Sequence, residues 1–166
     1  MIVQLDLSCT THELDLQRHE TFAYNLLEAA QEFNAELSIS LMDDRTIQEL
    51  NHQYLNKDYP TDVLSFSLRE GETVGQGDPL GDIVISVDTA AQQAADYGHG
   101  LDDEIDELLF HGFIHLLGAN HDEETGEDWF RIQSRLKTAL EAMPSVYQPK
   151  GINCKHPESQ EKKGGM

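Results

Sequence analysis

Apolar residues change period along this chain, and the changes mark its elements. Ile2–Leu7 reads Ile-Val-Gln-Leu-Asp-Leu, near-alternation that predicts an opening strand. From residue 15 to 33 the pattern lengthens. Leu16, Phe22, Ala23, Leu26, Leu27, Ala30 and Phe33 recur at helical spacing and predict an amphipathic helix, leaving His12 and His19 on the surface. Residues 35–42 set Leu37, Ile39 and Leu41 against Glu36, Ser38 and Ser40, the alternation of a half-buried strand. Asp43 and Asp44 then offer a cap to a short helix with Ile47, Leu50 and Tyr54 on one face.

Pro60 restricts the residue before it to extended geometry and closes that connection. Residues 63–68 and 80–87 read as strands, antiparallel across a loop holding Gly71, Gly75, Gly77 and Pro79. Three helices follow. The first, residues 88–97, is alanine-rich and stops at Gly98-His99-Gly100, with His99 in the loop. In the second, Asp102, Asp103, Glu104, Asp106 and Glu107 put negative charge at the positive end of the helix dipole, ahead of Ile105, Leu108, Leu109 and Ile114. The third carries Trp129, Ile132, Leu136 and Leu140 at three- and four-residue steps, with Arg131 and Arg135 one turn apart. This order predicts an α/β (α+β) fold, a small mixed four-stranded sheet covered by helices. Residues 1–143 would form one domain. Residues 144–166, with Pro144, Pro149 and Pro157 and no periodicity, would form a flexible tail.

At 166 residues and 39% hydrophobic, the chain suits a single core. Cys9 and Cys154 sit near opposite ends and suggest neither a disulfide scaffold nor a thiolate metal site. No secretory signal or membrane-length apolar run is present, so a soluble, cytoplasmic protein with no membrane partner is expected. The net charge of -20 argues against broad adhesion to nucleic acid, which draws on lysine and arginine to displace counterions. The last 23 residues hold four lysines and two glutamates, so residues 1–143 carry -22. RNA binding by such a body would have to be local, metal-assisted or helped by a partner.

The most chemically informative stretch is Leu-Leu-Phe-His-Gly-Phe-Ile-His-Leu-Leu-Gly-Ala-Asn-His-Asp, from Leu108 to Asp122. On a helix, His111 and His115 differ by only about 40° and rise about 6 Å, so they project side by side. Gly118 permits the left-handed backbone that ends a helix, and the chain can return His121 toward them. Three neutral imidazoles leave one tetrahedral position of a zinc ion open, the arrangement of a catalytic site, so one Zn²⁺ per chain is expected on this carboxy-proximal helix. Zinc acidifies water to a pKa of roughly 7, which points to hydrolysis.

This spacing is similar to that of the metzincin zinc peptidases, His-Glu-x-x-His-x-x-Gly-x-x-His, but Gly112 fills the glutamate position. That glutamate is the peptidase's general base. Its absence removes support for peptide hydrolysis while leaving the metal ligands intact.

His-Gly-Phe-Ile-His-Leu-Leu-Gly-Ala-Asn-His also resembles the signature of the YbeY family, bacterial rRNA maturation factors described as zinc-dependent, single-strand-specific endoribonucleases. Leu50 to Phe66, ending Asp-Tyr-Pro-Thr-Asp-Val-Leu-Ser-Phe, is similar to a second segment of that family, and Gly81-Asp82-Ile83 to a third. The resemblance implies cleavage of single-stranded or ribosomal RNA in rRNA maturation and small-subunit ribosome quality control. Small-subunit proteins and an assembly GTPase are the implied partners. It also exposes two departures. Leu55 stands where the family usually has an arginine thought to assist RNA binding or cleavage, and Ala119-Asn120 replaces the usual Tyr-Asp. Lys57 is the nearest basic candidate to offset that loss, while Asp62 and Asp122 are candidate proton acceptors that could equally be caps.

Three functions follow from these residues. The leading one is a zinc-dependent endoribonuclease, with His111, His115 and His121 as ligands. A zinc-stabilised ribosome-assembly factor without catalysis is the alternative favoured by Leu55 and the acidic body. A zinc peptidase is the third, and Gly112 weighs against it.

Overall fold

The computed structural model describes residues 1–8, 12–55, 61–68, 79–118 and 127–143. Nine elements run in the order β1 (Ile2–Leu7), α1 (Leu16–Ala29), β2 (Glu36–Met42), α2 (Asp44–Leu55), β3 (Val63–Ser67), β4 (Pro79–Ser86), α3 (Val87–Tyr97), α4 (Leu101–Leu116) and α5 (Glu127–Ala142). The sheet order is β1-β2-β4-β3, with β1 parallel to β2, β2 parallel to β4, and β3 antiparallel to β4 at the edge. It is the expected mixed four-stranded sheet in an α+β fold.

Alternation assigns the two faces of the sheet. Val63 and Ser65 of β3 and Ile83 of β4 face α4, whereas Leu64 and Val84 pack with Ile47 of α2, joined by Leu50 and Phe66. Between the sheet and the outer helices, α4 is buried along nearly its whole length, including Glu104, Asp106, Glu107 and His111. A helix buried on all sides must find partners for its polar residues inside the protein. Those partners decide where its chemistry sits.

Local chemistry sets several boundaries. Asp15 caps α1 by accepting from Arg18 N–H at 3.1 Å, and Ser86 caps α3 by accepting from Thr89 N–H at 3.2 Å. Gly98, at φ 75°, ends α3 in the left-handed region as expected. By contrast, α1 ends at Ala29, short of the predicted residue 33, and Gln31 takes φ 60°. Phe33 therefore leaves the apolar stripe and is 56% exposed.

His19 departs from the surface position read for it. It is fully buried, because residues 19, 22, 23 and 26 share one face of α1. Nδ1 meets Asp106 Oδ1 at 2.7 Å and Nε2 meets Asp102 Oδ1 at 2.8 Å. Beside it, Arg18 donates to Asp106 at 2.9 Å and Asp103 at 2.6 Å. Burial pushes the His19 pKa down, but the hydrogen bonds and charges of Asp106 and Asp102 outweigh it, and the net shift is upward. The acidic first turns of α4 thus anchor α1 as well as complementing a helix dipole. His12, which keeps part of its surface exposure, meets Asp88 at 3.2 Å. Among the described residues, no helix is long and apolar enough to cross a membrane.

Candidate metal centre

The two described histidines of the predicted triad lie on α4, His111 fully buried and His115 partly so. Both rings pack on Trp129 of α5. Its ring centroid is 5.5 Å from that of His111, edge-on at 84°, and 5.0 Å from that of His115, tilted at 53°. One indole touching both imidazoles places them on a common face, as their four-residue spacing requires. The helix then ends as expected. Gly118 adopts φ 103° and donates its N–H to the His115 carbonyl at 3.0 Å. His121 follows in the segment between α4 and α5, outside the described residues, as do Lys57, Asp122 and the Leu55 side chain.

Gly112 faces the other way. A Cβ there would stand 2.9 Å from Ile83 Cγ2, 3.1 Å from Ser65 Oγ and 3.4 Å from Val63 Cγ2, and Ser65 Oγ donates to the Gly112 carbonyl at 3.2 Å. The residue read as a missing glutamate is a point of close approach between α4 and the sheet. A carboxylate at this position would run into β3 and β4 rather than reach the histidine face.

Asp62 is committed elsewhere. Its buried carboxylate accepts from Val63 N–H at 2.8 Å, Gln93 Nε2 at 3.3 Å and Thr61 Oγ1 at 3.4 Å, fastening the start of β3 to α3. A strand and not a helix follows Asp62, so these bonds are not those of a helix cap. Arg131 and Arg135 are exposed on α5.

Sequence reasoning missed a second group of potential ligands. His99, Glu104 and Glu107 bring one ligand atom each within 4.8 Å of one another, with both glutamates buried, and His99 Nε2 meets Glu104 Oε1 at 2.5 Å. This group could hold a metal ion. On an ideal helix Glu104, Glu107, His111 and His115 fall within a stripe about 80° wide, so the carboxylates continue the histidine face toward the helix start. The spacing was visible in the sequence. What hid it was the default assignment of acids in a first turn to the helix dipole.

The model of the YbeY endoribonuclease family matches residues 4–143. The chain belongs to the YbeY endoribonuclease family. The Endoribonuclease YbeY of Geobacillus thermodenitrificans is 43% identical over 138 residues, covering 76% of this chain and 88% of that protein. The YbeY of Aquifex aeolicus is 49% identical over 109 residues, covering 66% and 71%. In three dimensions the chain is similar to the solution structure of a Thermotoga maritima protein, with a TM-score of 0.52 at 22% identity, covering 90% of this chain and 99% of that one. At that identity the likeness speaks to the fold alone. The match with YbeY begins within β1 and ends just after α5, so every element described above lies within or overlaps the family region.

Proposed function

We propose that this YbeY-family chain is a zinc-dependent endoribonuclease that cuts single-stranded RNA during rRNA maturation and small-subunit quality control, with His111, His115 and His121 as the zinc ligands. The observation that carries the reading is the pair His111 and His115, presented on one face of a buried helix against a single indole. The donor set fits the ion. Two imidazoles one turn apart, followed by a third after a helix-ending glycine, supply borderline nitrogen ligands and leave a coordination position open.

When bound, the cation supplies Lewis acidity toward a phosphoryl oxygen and acidifies water. The protein's part is to hold the ligands and shape their surroundings. Burial of α4 fixes the His111 ring, and contact with Trp129 restricts both rings and keeps solvent from one side of them. Gly112 supplies no side-chain base, and its closeness to the sheet excludes the glutamate that peptidase chemistry needs. Residues 1–143 act as the catalytic domain and 144–166 as a tail, working in the cytoplasm with ribosomal RNA, small-subunit proteins and an assembly GTPase. Family membership and the family signatures read from the sequence support those assignments.

Leu55, in the position of the family's arginine, and the acidic body favour one competing reading, a zinc-stabilised assembly factor that binds without cutting. Cleavage of an end-labelled single-stranded RNA, beside its duplex, separates the two. The zinc-loaded parent should cut the single strand only, and chelation or His115→Ala should abolish cutting in a protein that remains folded. A folded, zinc-loaded parent that binds ribosomal RNA and leaves it whole would establish the binding role instead.

A further inference from the structure

The stripe that seats α2 on the sheet, Ile47, Leu50 and Tyr54, emerges into solvent at its end. Ile47 is fully buried and Leu50 partly, but Tyr54, in the last turn, is 60% exposed. Its ring is nevertheless held, edge-on to Phe66 of β3 with centroids 5.7 Å apart and planes at 63°. Leu68, two residues beyond Phe66, is 52% exposed and extends the apolar surface.

This patch lies across the edge strand from the candidate metal centre. Ser65, pointing to the other face, donates to the carbonyl of Gly112, the neighbour of His111. The Phe66 carbonyl crowds Gly81 together with Leu116 of α4, the neighbour of His115. Consecutive residues of β3 therefore touch the histidine helix on one side and back the tyrosine on the other. β3 is the edge strand of the sheet, so no further strand separates the two faces beside it.

We propose that Tyr54, backed by Phe66, is a stacking platform for an unpaired base of the RNA whose backbone reaches His111 and His115. The inference rests on the ribonuclease reading and adds to it the part that grips the substrate. The charge balance limits how RNA can be gripped. With 11 lysines and arginines against 31 acids, the chain has little capacity to hold RNA through its phosphates. Stacking needs no positive charge, accepts every base, and requires the base to be out of a duplex. It thereby supplies both affinity and a preference for single strands.

The test is the affinity of the zinc-loaded protein for an end-labelled, uncleavable 2′-O-methyl oligoribonucleotide, read by fluorescence anisotropy beside cleavage of the matching RNA. Tyr54→Leu should weaken binding on the order of tenfold at both low and high salt, while Tyr54→Phe stays within about twofold of the parent. Replacing the bases by abasic spacers should cost the parent a similar factor and the Tyr54→Leu variant little, a response that a purely structural tyrosine would not give. Matching urea midpoints exclude a folding defect. If the parent cuts RNA and Tyr54→Leu binds and discriminates as the parent does, the platform is overturned while the ribonuclease reading stands. If the parent neither binds nor cuts RNA, that reading fails and the platform fails with it.

Discussion

Alanine at position 112 tests how closely α4 must lie on the sheet. Gly112 is in the helix interior, where alanine is intrinsically favoured by about 1 kcal/mol, so an unconstrained site would be stabilised by the change. The new methyl instead stands 2.9 Å from Ile83 Cγ2. An ordinary carbon contact is about 3.7 Å, so either α4 or β4 must yield by roughly 0.8 Å. Neither does so easily. Ile83 is fully buried on a strand paired on both sides, and its Cγ2 is attached at the branched Cβ and cannot swing away independently of χ1. Overpacking of this kind costs about 1–3 kcal/mol, leaving a net loss of about 1 kcal/mol after the propensity gain and a Tm lower by about 2–4 °C. Urea denaturation of parent and Gly112→Ala proteins measures it. The shift should also disturb the neighbouring His111 and lower RNA cleavage by about tenfold or more. A Gly112→Ala protein as stable as the parent, or more stable, would refute the close docking of α4 and the account of why glycine stands there.

Other consequences follow from named contacts. The raised pKa of His19 means that its protonated form stabilises the fold fully below the unfolded value of about 6.5, and that this contribution fades as pH rises through the folded value. Stability against urea should therefore decline as the pH is raised above about 6.5, and His19→Gln should remove that decline. Asp106→Ala leaves Arg18 and His19 facing each other without their shared carboxylate and should cost about 3 kcal/mol, measured the same way. Chelation should lower the thermal midpoint of the parent, since zinc at a hundredfold excess over its Kd contributes about 2.7 kcal/mol, and His115→Ala should respond less. Leu55→Arg should strengthen RNA binding and steepen its salt dependence, by about one counterion.

The sequence revealed what local periodicity encodes. Alternation in β2, the antiparallel partnership of β3 and β4, and the common face of His111 and His115 all follow from spacing within one or two elements. Less visible were features set by distant partners. That β2 pairs with β4 while β3 takes the edge depends on how α2 and α4 divide the two faces of the sheet. His19 reads as polar and thus exposed until α4 presents Asp102 and Asp106 to it. Gly112 reads as an absent glutamate, and only the nearness of Ile83 and Ser65 gives it a positive role. Tyr54 shares the helical phase of Ile47 and Leu50, yet it stands 60% exposed with its ring against Phe66. His99, Glu104 and Glu107 needed the loop before α4 to be folded back before they became a group.

Zinc K-edge X-ray absorption on the protein loaded with one equivalent of zinc addresses the centre itself, because it counts ligands by type. With His111, His115 and His121 as ligands, the spectrum should contain three imidazoles at about 2.0–2.1 Å and one light-atom ligand. His115→Ala should remove one imidazole and Glu107→Gln none. A spectrum with a single imidazole and two carboxylates, lost on Glu107→Gln and unchanged in His115→Ala, would move the ion to His99, Glu104 and Glu107 and contradict the three-histidine centre.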